Sequence, residues 1–107
     1  MQHNSPTIAD LGQTLAQAIR NKQMVQAVYN AVPMDLAPHQ IFVRNDALYV
    51  SAFNPQKKRR EDESPALGHF KIAGLTNLHL TQDQFAPLPE EGRRLPRESD
   101  QLIFAID

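Results

Sequence analysis

The chain has 107 residues, of which 41% are hydrophobic and 21% charged, and this length predicts a single domain with one core. Cysteine is absent, which excludes disulfides, thiolate metal sites and cysteine nucleophiles. Eleven Lys and Arg residues against twelve Asp and Glu residues give a net charge of -1, so only a local patch could bind nucleic acid by charge.

The first residues are polar and contain no basic stretch followed by an apolar segment, so no secretory signal is visible. The longest mostly apolar run spans residues 47–53, far short of the about 20 residues that a membrane helix needs. We therefore expect a protein of the cytoplasm that does not bind membranes.

The first predicted element is an amphipathic helix that begins after Thr7. The threonine can cap the helix, with Asp10 at the capping-box position. Apolar residues then follow at spacings of three and four, namely Ile8, Leu11, Leu15 and Ile19. The pattern predicts about four turns that end near residues 21–22 and cover a core with the apolar stripe.

A tight hairpin is the clearest β signal. Two alternating runs, 36–44 and 47–53, flank Asn45 and Asp46, which favour a two-residue turn. In the resulting register the opposed pairs are Arg44 with Ala47, Val43 with Leu48, Phe42 with Tyr49, Ile41 with Val50, and Gln40 with Ser51. The predicted core face carries Ile41, Val43, Leu48, Val50 and Ala52. The opposite, mixed face, on which we expect something to lie, carries Gln40, Phe42, Arg44, Tyr49, Ser51 and Phe53.

Other strands are predicted on both sides of this hairpin. Residues 24–29 form the first strand, which Asn30 and Pro33 are expected to end. Residues 69–72 and 77–81 alternate and predict a second hairpin. One helix followed by about five short antiparallel strands favours a small, partly open barrel with the helix over one end.

Two segments are poor in apolar residues. Residues 54–65 form a predicted charged loop, and residues 87–100, with three prolines and a glycine, form a predicted mobile linker. We expect the apolar run within 101–107 to pair as an extra strand with its own barrel or with a neighbouring subunit. The predicted organisation is thus a domain over residues 1–86, a linker over 87–100 and a C-terminal strand over 101–107.

The order of motifs within residues 15–85 carries further information. Five segments follow one another: a helix segment, a strand that ends in Tyr29, a proline-led strand, the stretch 47–54 and a closing pair of strands that begins near Phe70. In this order the chain resembles the WYL domain, a bacterial module with an Sm-like β-barrel. Of the triplet that names the family, only the tyrosine is kept, as Tyr49.

The resemblance implies a mainly β, α+β fold, in which the N-terminal helix precedes a five-stranded antiparallel Sm-like barrel. It also implies a regulatory, ligand-sensing role in a bacterium. Met34 and Gly74 stand where the family usually has arginines of its ligand surface. Family members commonly follow a helix-turn-helix domain, for which residues 1–7 leave no space, so we do not expect this chain to be such a regulator by itself.

Little in the sequence points to catalysis or metal binding. The serines lie in no nucleophile-elbow pattern, the four glycines form no phosphate-binding loop, and paired carboxylates occur only in charged loops. His39, His69 and His79 lack the short spacing of a metal site. We therefore expect no enzyme activity, no cofactor and no metal. The basic cluster 57–60 could contact phosphates, but the acidic residues 61–63 screen it, which favours a solvated loop.

The mixed face of the first hairpin supplies most of the candidate site. The candidate ligand-binding residues are Tyr49, Phe42, Arg44, Gln40, Ser51, His39 and Lys71. The two aromatic residues either pack under the helix or form a ligand or partner surface, for which neighbouring polar side chains supply hydrogen bonds.

These observations favour a non-catalytic sensing or regulatory module. Its expected ligand is a nucleotide or a short single-stranded nucleic acid, bound weakly and with a strong dependence on salt. The alternative is a module for protein–protein interaction or self-association, without a small ligand, that forms homo-oligomers.

Overall fold

The computed structural model describes residues 7–57, 66–93, 95 and 97–106. Within these ranges one helix precedes six strands, and a 3-10 turn lies on each side of the fifth strand. The elements are α1 (Ile8–Asn21), β1 (Gln23–Tyr29), β2 (Val32–Arg44), β3 (Ala47–Phe53), β4 (Gly68–Lys71), a 3-10 turn (Ile72–Gly74), β5 (Leu75–Gln84), a second 3-10 turn (Glu90–Arg93) and β6 (Gln101–Ala105). The predicted charged loop falls largely on residues 58–65, which lie outside the described residues, as do residues 58–60 of the basic cluster.

Helix α1 is capped as its sequence predicts. The Thr7 hydroxyl accepts a hydrogen bond from the Asp10 N–H at 3.1 Å, and the Asp10 carboxylate accepts one from the Thr7 N–H at 3.0 Å. Lys22 ends the helix in the left-handed conformation, with a φ of 54°. The apolar stripe is buried from its second residue onward, whereas its first residue, Ile8, is 47% exposed.

The hairpin of β2 and β3 confirms the predicted register. Asn45 and Asp46 form its turn with φ values of 50° and 63°, and a type I′ turn requires positive φ at both central positions. All five predicted pairs are present. Residues opposite one another therefore share the faces that the alternation assigns to them.

Strand β2 begins earlier than predicted. Asn30 and Ala31, with φ values of 51° and 63°, turn the chain from β1 directly into β2. Pro33 lies inside β2, opposite Val28 of β1, so the predicted break at Pro33 is wrong. In the described part of the chain this half of β2 pairs with β1 alone, and an edge position tolerates the missing N–H of proline.

The predicted second hairpin is wrong, although both of its strands exist. Strand β4 pairs with β3, and β5 pairs with β1, so the order across the sheet is β4-β3-β2-β1-β5, with β6 added to β2. The result is an open antiparallel sheet in an α+β fold. Tyr29 of β1 still reaches β4, since its hydroxyl accepts from the Lys71 N–H at 3.4 Å and its ring meets Phe70 edge-on at 5.2 Å.

Different parts of the chain lie on the two faces of the β2–β3 hairpin. On the core face, α1 packs into one apolar cluster with Ile41 and Val50. On the mixed face lies the segment predicted as a linker, here called the strap (residues 87–100, of which 94 and 96 lie outside the described residues). The strap contains the 3-10 turn Glu90–Arg93, and the Arg93 carbonyl accepts a hydrogen bond from the Gln40 side chain of β2.

Strand β6 follows the strap and pairs with β2 of its own chain. The Ile106 N–H donates to the His39 carbonyl at 2.8 Å, and Ile106 and Phe104 pack into or against the core. Leu102 and Ile103 are 52% and 58% exposed. The C-terminal run is thus anchored by alternate side chains and leaves an apolar pair at the surface.

Candidate functional site

The mixed face of the hairpin gathers two rings and a guanidinium around Phe42. The Tyr49 ring stacks on Phe42 with 5.4 Å between centroids and 19° between planes. The His69 ring meets Phe42 edge-on at 5.7 Å. Arg44 places its guanidinium carbon 5.2 Å from the centroid of Phe42 and 5.1 Å from that of Tyr49. Phe42 is fully buried in this group (the Phe42 cluster: Phe42, Tyr49, His69 and Arg44).

Arg44 forms a bidentate ion pair with Asp100 of the strap. Its Nε and Nη2 donate to the two carboxylate oxygens, each at 3.0 Å, and one of these oxygens also accepts from the Arg97 N–H at 3.2 Å. The Asp100 side chain is 0% exposed and that of Arg44 is 14% exposed. The hydrogen bond from Arg44 lowers the pKa of Asp100, so this carboxylate stays charged well into the acidic range.

A chain of hydrogen bonds runs beside the Phe42 cluster. Gln40 donates through Nε2 to the Ser51 hydroxyl at 3.3 Å and to the Arg93 carbonyl of the strap at 3.0 Å. The Ser51 hydroxyl lies 3.0 Å from Nδ1 of His69. Burial, with a smaller contribution from the Arg44 charge, lowers the pKa of His69 and favours the neutral ring. Gln40 and Ser51 are both buried, so here they satisfy one another and the strap rather than facing solvent.

His39 occupies a β-bulge in β2 and holds the beginning of the strap. The register of β2 and β3 shifts between Pro38 and Gln40, which leaves His39 between two regular pairs. Its Nδ1 donates to the Ala37 carbonyl at 2.8 Å, and its Nε2 accepts from the Leu88 N–H at 3.0 Å. Burial lowers the pKa of His39, in keeping with a neutral ring that must accept a hydrogen bond.

The structure divides the predicted site residues into three groups. Five of them converge on the mixed face, namely Phe42, Tyr49, Arg44, Gln40 and Ser51. Lys71 is exposed on β4 opposite Tyr49 in the strand register. His39 anchors the strap, and its ring lies 5.1 Å from that of Phe85, between centroids.

Sequence reasoning missed two participants, His69 and Asp100. His69 could have been found from the pairing of β3 with β4, which puts it opposite Ser51. Asp100 stands 56 positions from Arg44, and no local pattern joins the two. The sequence therefore did not show that the chain itself supplies the carboxylate that pairs with the Arg44 guanidinium.

A second concave surface lies on the other half of the sheet. It has a volume of about 350 Å³, and its lining includes Met34, Gln26 and His79. Met34 stands at one of the positions where the WYL family usually has arginine. At the other such position, a Cβ on Gly74 would lie 2.9 Å from a ring carbon of Tyr29, so a larger side chain there requires the tyrosine to move.

Among the described residues, no three His, Asp or Glu side chains come together as metal ligands. No helix in the described ranges is both long and apolar enough to cross a membrane.

Comparisons with known proteins give one informative similarity. No family model matches the sequence, and no curated protein matches it. Among solved structures, the chain is similar to Proteasome accessory factor B/C (PafBC) of Arthrobacter aurescens, with a TM-score of 0.64 and 12% identity. The match covers 84% of this chain and 14% of the PafBC chain, so this chain spans a small part of that protein's length. At this identity the similarity concerns the fold, and it is consistent with a WYL-like fold.

Proposed function

We propose that the chain is a non-catalytic regulatory module of the WYL-like class that binds an anionic, ring-containing ligand at the Phe42 cluster. The fold similarity to PafBC is consistent with a regulatory module. A bacterial and cytoplasmic setting belongs to the same proposal and comes from the resemblance to the WYL domain.

One observation carries the ligand part of the proposal, namely the bidentate carboxylate on Arg44. A guanidinium that presents two parallel donors is suited to carboxylates and phosphates. In this structure the group that it holds is the chain's own Asp100. The Phe42 and Tyr49 rings lie beside it, and once uncovered they would provide a stacking surface of the kind that binds bases.

A nucleotide or a short single-stranded nucleic acid combines these two chemistries. The net charge of -1 gives no long-range attraction to such a ligand, so the proposed binding is weak and rests on the local cation. Salt competes with a phosphate for a single guanidinium, so the affinity falls as ionic strength rises.

Calorimetric titration of the purified chain with AMP and with a short oligothymidylate, at low and at moderate salt, tests this function. We expect weak, salt-sensitive binding that Arg44→Gln abolishes and that Lys22→Gln, which removes the same charge at the end of α1, leaves within about two-fold. Melting curves establish that both variants are folded. Salt-insensitive binding, or equal binding by Arg44→Gln, contradicts the proposal.

Self-association is the second candidate, and the surface of β6 favours it. Leu102 and Ile103 are both more than half exposed on a strand that, among the described residues, pairs only with β2. Uncharged edge strands with apolar side chains tend to pair with another chain. Sedimentation equilibrium should then show a dimer that Leu102→Thr with Ile103→Thr converts to monomer. A monomer at all concentrations excludes this candidate.

A further inference from the structure

Among its described residues, the strap is tied to the mixed face by a small number of polar contacts with β2. At the start of the strap, the Leu88 N–H donates to Nε2 of His39. Further along, the Arg93 carbonyl accepts from Nε2 of Gln40, and at the end the Asp100 carboxylate pairs with Arg44. The strap sequence is rich in proline and charge and poor in apolar residues. Intramolecular hydrogen bonds exchange with bonds to water and each contributes modestly, so these polar contacts can be replaced by bonds to water or to a ligand.

One polar atom of the strap, Nε of Arg93, is buried without a hydrogen-bond partner among the described residues. A buried donor without a partner destabilises the arrangement that buries it. Opening the strap would return this group to water, so part of the cost of opening is offset.

The groups that the proposed ligand needs are covered in this structure. Phe42 has no exposed surface, and Arg44, which pairs with Asp100 of the strap, is mostly covered, so a ligand cannot stack on Phe42 in the closed arrangement. The Asp100 carboxylate accepts the hydrogen bonds of both Nε and Nη2 of Arg44. A phosphate must therefore replace this carboxylate to be held in the same bidentate way.

We propose that Asp100 is a built-in competitor for the anion at Arg44, and that the strap is a lid that opens when a nucleotide phosphate takes the place of Asp100. This inference rests on the proposed function for the identity of the ligand. The lid itself is a property of the chain alone and can be tested without ligand. The two ideas can thus fail separately.

The variant Asp100→Asn removes the charge and keeps a side chain that can still accept from the Arg97 N–H. Its matched control is Glu98→Gln, which removes one negative charge from an exposed position in the same turn. Without ligand, hydrogen exchange of the full chain should become faster in residues 88–106 of Asp100→Asn, while α1 stays protected. Glu98→Gln should exchange like the unmodified chain. Unchanged exchange in Asp100→Asn overturns the lid.

Titration of the same three proteins with AMP tests the competition. We expect Asp100→Asn to bind AMP roughly ten-fold more tightly, and Glu98→Gln to change the affinity by less than about two-fold. Inorganic phosphate should bind more weakly than AMP, because it cannot stack on the rings. Equal affinity of Asp100→Asn and the unmodified chain overturns the competition and leaves the ligand site standing. Faster exchange in Asp100→Asn without binding of AMP, oligothymidylate or phosphate supports the lid and overturns the proposed function.

Discussion

His39 can work in this structure only as a neutral imidazole. One ring nitrogen faces a carbonyl oxygen and must carry the proton, while the other faces the Leu88 N–H and must accept. A second proton would remove the acceptor and place a charge in a fully buried ring. The residue that the sequence suggested as a ligand contact is thus a support for the strap.

The lowered pKa of His39 makes stability depend on pH. The folded chain binds a second proton on His39 less readily than the unfolded chain does. The contribution of the neutral His39 to folding stability is therefore complete above the unfolded pKa of about 6.5, and it is lost as pH falls toward the lower folded pKa. His69 acts in the same direction. We expect a lower melting temperature at pH about 5.5 than at pH about 7.5, a window above the titration of Asp100.

Replacement of single histidines checks the source of this effect. His39→Gln should reduce the difference in melting temperature between the two pH values. Equal melting temperatures of the unmodified chain at both pH values would show that His39 does not control this stability.

At the scale of secondary structure, the sequence predicts the features that neighbouring residues determine, such as turns and helix caps. The turn at Asn45 and Asp46 sets the register of β2 and β3, and the capping residues set the start of α1. The partners of β4 and β5 could not be predicted, because alternation shows which face is apolar but not which strand lies beside it. The contact between Arg44 and Asp100 joins positions 56 apart and depends on the path of the strap.

The end of β1 before Asn30 was predicted, but the direct turn into β2 was not, because Ala31 is an unusual residue for such a turn. Its φ of 63° is in the left-handed region, which is unfavourable for alanine by about 1–2 kcal/mol relative to the right-handed form. Ala31→Gly should therefore stabilise the protein by about 0.5–1 kcal/mol after the larger unfolded-state entropy of glycine is included. Denaturant unfolding measures this change.

The control for that substitution lies in the helix. Ala9→Gly, at an exposed position of α1, should destabilise the protein by about 0.5–1 kcal/mol, because glycine has no backbone strain to relieve there. If both substitutions destabilise equally, the turn at Ala31 does not carry the strain assigned to it.

At the scale of the whole molecule, the hairpin of β2 and β3 is enclosed from both sides by the ends of the chain. Helix α1, at one end, packs on the core face, and the strap and β6, at the other end, lie against the opposite face and the free edge of β2. The candidate site is therefore formed by residues distant in sequence. In the proposed lid, the accessibility of this site depends on how firmly β6 holds the strap in place.

Removal of residues 101–107 tests this dependence. The deletion takes Phe104 and Ile106 from the core and frees one edge of β2, so we expect a loss of about 2–4 kcal/mol and a melting temperature lower by at least about 10 °C. Leu102→Thr with Ile103→Thr changes the same strand but only its exposed side chains, so it should alter the stability of the monomer by no more than about 0.5 kcal/mol. The contrast separates the inward side chains of β6 from its outward pair. An unchanged melting temperature after the deletion would mean that β6 adds nothing to the fold and cannot hold the strap over Phe42.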